Sequence, residues 1–145
     1  MSDQKQAFMA ETESHGKGFI LIADDDPAIL WLVRTLVESE GFSAVTAMDG
    51  KDAYRILKSE RKIIAAIVDI MMPYIQGTDL VRFMKSDERF KRIPVIMMTA
   101  EQSPKLPSKS FSAGAVAFLP KPFTNAQLRS MIRTFAKKPG AEKGK

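Results

Sequence analysis

The sequence predicts an α/β protein with a doubly wound parallel sheet. Three observations carry that prediction. Apolar runs without polar alternation, ILIA before Asp24, IIAAIV before Asp69 and PVIMM before Thr99, read as strands buried on both faces. Segments with apolar residues at helical spacing separate those runs, and strict strand–helix alternation gives a parallel sheet covered on both sides. Each of four runs also ends in residues that can do chemistry: Asp24, Asp25 and Asp26, then Asp69, then Thr99, then Lys121.

The first strand is expected over 19–23. Pro27 opens the first helix, where its missing N–H costs nothing. Ile29, Leu30, Leu32, Val33, Leu36 and Val37 form the apolar side of that helix, and Gly41 caps its end. A short second strand covers 42–47. The second helix covers 51–59 with Ala53, Ile56 and Leu57 inward, and the third strand covers 63–68. Past Pro73 and Gly77, a third helix runs from 78 to about 85 with Leu80, Val81 and Met84 inward. The fourth strand covers 94–98. The stretch AEQSPKLPSKSFSAGA follows. A proline costs a helix interior about 3 kcal/mol, so Pro104 and Pro107 predict a short helix over 107–113 or a mobile loop. The fifth strand covers 117–119. Thr124 then caps a last helix with the stripe Leu128, Met131, Ile132 and Phe135. The nine methionines read as core filler.

A chain of 145 residues with 45% hydrophobic content supports one domain with a real core. That domain is expected over 18–137, between a polar, disordered tail (1–17) and a basic, flexible tail (138–145). No apolar run approaches the roughly 18 residues of a membrane span, and the N-terminus lacks the apolar core of an export signal. These features argue against membrane partners and for a cytoplasmic location. The absence of cysteine excludes disulfides, thiolate metal sites and a Cys nucleophile. His15, the single histidine, reads as an ordinary tail residue. Part of the net charge of +5 sits in KSERK, RFKR and KKPGAEKGK. These read as solvated helix ends and a soluble tail rather than as a nucleic-acid surface.

In open parallel sheets, ligands bind outside the carboxyl ends of the strands. The acids, Thr99 and Lys121 should therefore meet on one edge. Two unit charges about 4 Å apart repel by about 4 kcal/mol at an effective dielectric near 20. A hard divalent cation offsets that repulsion, so the predicted site takes Mg²⁺ and a phosphoryl group. Asp26 is read as a helix N-terminal residue that favours the dipole.

The spacing Asp24-Asp25…Pro27, Asp69-Ile70-Met71-Met72-Pro73…Gly77, Thr99-Ala100 and Lys121-Pro122-Phe123 resembles the receiver domain of two-component response regulators, from about Phe19 to Ala136. The resemblance implies a five-stranded flavodoxin-like (βα)5 fold with strand order 2-1-3-4-5. It implies that Asp69 is the phosphorylation site and that Thr99 and Lys121 act with it. It assigns metal contacts to Asp25 and Asp69 directly, to Asp24 through water and to the backbone carbonyl of Met71, with Mn²⁺ as an alternative to Mg²⁺. Pro122 is implied to follow a cis bond. Thr99 and Phe118 are implied switch residues, with Phe in place of the common Tyr. Met71 and Glu101 occupy positions that tune phosphate lifetime. The implied phosphodonor is a histidine kinase or histidine phosphotransfer protein. The implied output surface is the fourth helix, fifth strand and last helix, including Phe118, Gln127 and Arg129. The chain is then no enzyme beyond its own phosphorylation and dephosphorylation. A stand-alone monomer, with dimerisation on phosphorylation as a variant, is the expectation.

Three rivals have distinct signatures. An aspartyl-phosphate phosphatase with Asp-x-Asp on the first strand wants Thr or Val where this chain has Ala28. A pseudo-receiver interaction module would lack part of the acid pocket. A receiver cut from a larger hybrid protein has the same sequence features as a stand-alone one.

Overall fold

The computed structural model describes residues 18–59 and 61–136. The two expected tails and His15 lie outside the described residues. Five strands, β1 (Phe19–Ala23), β2 (Ser43–Ala47), β3 (Ile63–Asp69), β4 (Val95–Thr99) and β5 (Ala117–Pro120), alternate with five helices. The helices are α1 (Pro27–Ser39), α2 (Gly50–Leu57), α3 (Gly77–Ser86), α4 (Leu106–Ala113) and α5 (Asn125–Phe135). All strand pairs are parallel and the sheet order is β2-β1-β3-β4-β5, the predicted fold.

Alternate residues along each strand feed two cores. Leu21, Ala66, Val68, Val95 and Met97 face α2, α3 and α4, whereas Ile20, Ile22, Ala65, Ile67, Ile96 and Met98 face α1 and α5. Burial on both faces is why these strands lack polar alternation. The helices contribute the predicted stripes: Leu30, Val33, Leu36 and Val37 on one side, Leu80, Val81 and Met84 on the other.

Asp26 is the N-cap of α1, its carboxylate accepting the Ala28 N–H at 2.9 Å. The α1 C-cap is Glu40, and Gly41 follows with φ of 91°. Thr124 and Gln127 cap α5 reciprocally, at 3.0 and 2.8 Å. The predicted fourth helix exists because Pro107 falls in its first turn, where no N–H is needed, and Pro104 precedes it. Gly114, with φ of 120°, ends it. The carboxylate of Glu40 receives both Arg129 and Arg133 of α5, at 3.3 and 2.7 Å, and ties the ends of α1 and α5 together.

Candidate functional site

The ladder hydrogen bonds bring the strand-end residues to one edge. Asp24 follows β1, and its N–H donates to the Ala47 carbonyl at the end of β2. Asp69 is the last residue of β3, in register with Met98, and the Ile70 N–H donates to the Met98 carbonyl. Thr99 ends β4, and its carbonyl accepts the Lys121 N–H at 2.8 Å. The strands thus run one residue further than their apolar residues, into Asp69 and Thr99, because a neighbouring ladder bond remains at each position.

Asp24 and Thr99 are fully buried, Asp69 nearly so, and Asp25 is exposed. Carboxylate oxygens of Asp24, Asp25 and Asp69 all lie within 4.8 Å of one another. Lys121 reaches into this group. Its Nζ donates to Asp24 Oδ2 at 2.6 Å and lies 3.5 Å from Asp69 Oδ2. Asp24 Oδ1 also accepts the Asp26 N–H at 2.9 Å, so both oxygens of Asp24 are engaged. Asp69 Oδ1 accepts the Met71 N–H in a longer contact of 3.4 Å. Thr99 Oγ1 accepts the Glu101 N–H at 3.1 Å. The Lys121–Pro122 peptide bond is cis.

The electrostatics are uneven. Burial, then the charge of Asp24, raises the Asp69 pKa to about 6, and Lys121 and the Met71 N–H oppose that rise. Burial pulls the Lys121 ammonium down, but its hydrogen bond to Asp24 and the charges of Asp69 and Asp24 outweigh this, and its pKa lies above the ordinary lysine value. One ammonium therefore serves two carboxylates and sits nearer to Asp24. The donor set is all hard oxygen in a confined space, which fits a small divalent cation such as Mg²⁺.

The remaining predicted residues lie outside this group. Met71 and Glu101 are exposed in the loops after β3 and β4. Phe118 lies on β5 in register with Met97, half-buried against the core under α2–α4. Gln127 and Arg129, expected on an output surface, make the α5 cap and the contact to Glu40 respectively.

Three features went unnoticed in the sequence. A Cβ on Gly77 would lie 2.3 Å from the Asp69 carbonyl oxygen, so α3 packs directly on the backbone of the acid. Gly50 is packed similarly, with its absent Cβ 2.1 Å from the Ile75 carbonyl oxygen. This braces the β2–α2 loop against the β3–α3 loop, where the Gly50 N–H donates to Pro73 O. Tyr74 has φ of 71° and is 82% exposed. A glycine in a turn signals close approach in general, but nothing in the sequence names its partner, and an aromatic residue does not signal the left-handed region.

Residues 20–133 match the family described as the response regulator receiver domain. Hybrid signal transduction histidine kinase D of Dictyostelium discoideum is 29% identical over 131 residues, 89% of this chain and 8% of that protein. The transcriptional regulatory protein CpxR of Escherichia coli K12 is 33% identical over 119 residues, 82% of this chain and 49% of CpxR. The chain thus spans half or less of the length of both relatives. Among solved structures, the receiver domain of the sensor histidine kinase PA1611 from Pseudomonas aeruginosa superposes with a TM-score of 0.73 at 25% identity, covering 82% of this chain and 97% of that one. That structure has a magnesium ion coordinated in its active-site cleft.

Proposed function

The chain belongs to the response regulator receiver family, and from that premise we propose that it is a phosphoacceptor whose nucleophile is Asp69. The observation that carries this is the buried Asp69 carboxylate at the end of β3, with Asp24, Asp25 and Lys121 gathered around it. The donor is a histidine kinase or histidine phosphotransfer protein. An Asp69 oxygen attacks phosphorus, a P–O bond forms, and the P–N bond to the donor imidazole breaks with its electron pair left on nitrogen. The chain works in the cytoplasm on this reading. Among the described residues, no helix is long and apolar enough to cross a membrane.

The division of labour among the carboxylates follows from their existing contacts. Asp25 has no hydrogen-bond partner among the described residues, so its oxygens are free for a metal, as is much of Asp69. Asp24 is held by Lys121 and the Asp26 N–H, which suits contact through water. The Met71 carbonyl would be the further oxygen ligand. Mg²⁺ in this set would offset the crowding of carboxylates and supply positive charge against the transferring group. Lys121 stands close enough to Asp69 to follow the phosphoryl oxygens once they arrive. Thr99 Oγ1 offers its proton to the same oxygens, and Phe118 responds from β5. The switched face of α4, β5 and α5 then binds a protein partner, by a population shift of a few kcal/mol.

Intact mass after incubation with acetyl phosphate and Mg²⁺ tests this reading. One phosphoryl group is expected on the wild type, and none on Asp69→Asn or in chelator. A gain that survives Asp69→Asn overturns the assignment and points to Asp24.

A further inference from the structure

Two basic clusters in the sequence have no part in the acid site. Lys58 is the C-cap of α2, Arg61 and Lys62 lead into β3, and RFKR lies between α3 and β4. Folding brings them together. A pocket of about 350 Å³ opens at the N-terminal edge of the sheet, lined by Lys58, Arg61, Lys62 and Arg89 and by the apolar Ile63 and Phe90 among others. Ile63 begins β3 and Asp69 ends it. Six strand residues at about 3.3 Å each put the two sites about 20 Å apart, on opposite edges.

Three of these cations lie over aromatic rings. Lys58 Nζ lies 4.1 Å from the Tyr54 ring centroid, the Arg61 guanidinium 5.8 Å from Phe19, and the Arg89 guanidinium 4.7 Å from Phe90. Among the described residues only Arg89 of these cations has a carboxylate partner, Asp87 at 2.8 Å. Among the described residues no acid pairs with Lys58, Arg61 or Lys62. Three cations with no acid partner among the described residues therefore border a hollow that is partly apolar. Such a hollow attracts a ligand that is anionic outside and apolar inside. We propose that this pocket is a docking site for an acidic peptide segment of a partner protein, with one large apolar side chain seated between Ile63 and Phe90 and carboxylates on either side of it. Duplex nucleic acid fits worse, because the charges line a small concavity of about 350 Å³ rather than track a convex backbone. The phosphoacceptor edge stays open when the pocket is filled, so docking here recruits a partner without competing with the phosphodonor.

Amide chemical-shift mapping on the full chain tests the proposal, with the acetylated peptide Asp-Glu-Asp-Leu-Phe-Asp-Glu-Asp as probe. Saturable shifts confined to residues 57–63 and 89–93 are expected. Binding should weaken about tenfold or more when Leu-Phe becomes Ser-Ser and again in the variant K58Q/R61Q/K62Q. That variant removes no ion pair among the described residues, and an unchanged spectrum elsewhere confirms its fold. Absence of saturable shifts, equal binding of the Ser-Ser peptide, retention of binding in the triple variant, or tighter binding of a short duplex DNA at the same residues would each overturn it.

Discussion

Replacing Asp69 with Asn should make the metal-free protein more stable at neutral pH. In the folded chain, burial and the nearby charge of Asp24 raise the Asp69 pKa from 3.8 to about 6. The folded state then holds its proton more tightly than the unfolded state, so wild-type stability falls as pH rises between those values. Above about pH 6 the full penalty is present, and below about pH 4 it is absent. A shift of about 2 units corresponds to roughly 3 kcal/mol. Asn keeps the shape and removes the charge, and Lys121 keeps its partner in Asp24. The variant should therefore gain up to about 3 kcal/mol at pH 7, a rise of roughly 10 °C in Tm for a domain of this size. Urea unfolding in chelator at pH 7 and pH 4 measures it. The gain should disappear at pH 4. No gain at pH 7, or an equal gain at both pH values, would refute the claim that charge crowding at Asp69 is the cause.

Other consequences follow from the same geometry. Millimolar Mg²⁺ should raise the wild-type Tm at pH 7, with about 2.7 kcal/mol gained at a hundredfold excess over Kd, and should raise that of Asp69→Asn much less; thermal scans with and without chelator decide it. Lys121→Met should leave the buried Asp24 unpaired and cost about 3 kcal/mol in urea unfolding, while slowing the phosphoryl mass gain. Gly77→Ala should push α3 off the Asp69 backbone and cost about 2 kcal/mol or more by the same assay; a neutral result would mean that the loop yields freely. Tyr74→Gly should gain about 1 kcal/mol, since a left-handed conformation is unfavourable for Tyr and its exposed ring contributes little burial; a loss would show that the ring is held by contacts.

The order of elements and the convergence of Asp24, Asp25, Asp69, Thr99 and Lys121 on one edge were legible because parallel strands leave an unmistakable apolar pattern and their ends share one edge. The α4 segment was legible as an alternative only, because two prolines weaken a helix unless one falls in its first turn, and Pro107 does. Strand ends ran past Val68 and Met98 because ladder bonds continue under polar side chains. The closer pairing of Lys121 with Asp24 than with Asp69 depends on distances of 2.6 and 3.5 Å, which no spacing encodes. The convergence of KSERK and RFKR was equally hidden, since it depends on where α2 ends relative to the turn after α3.

The Glu40 clamp has a consequence for building with this domain. Helices of a parallel α/β sheet run back against the strands, so Glu40 and Arg133 mark the edge from which β1 also starts. Phe19 and Ala136 therefore both belong to the edge away from Asp69. A fluorescent protein, a surface tether or a second domain fused at either place would stand clear of incoming phosphodonors. A linker joining the two places, with new ends opened in an exposed loop, is a natural route to a circular permutant.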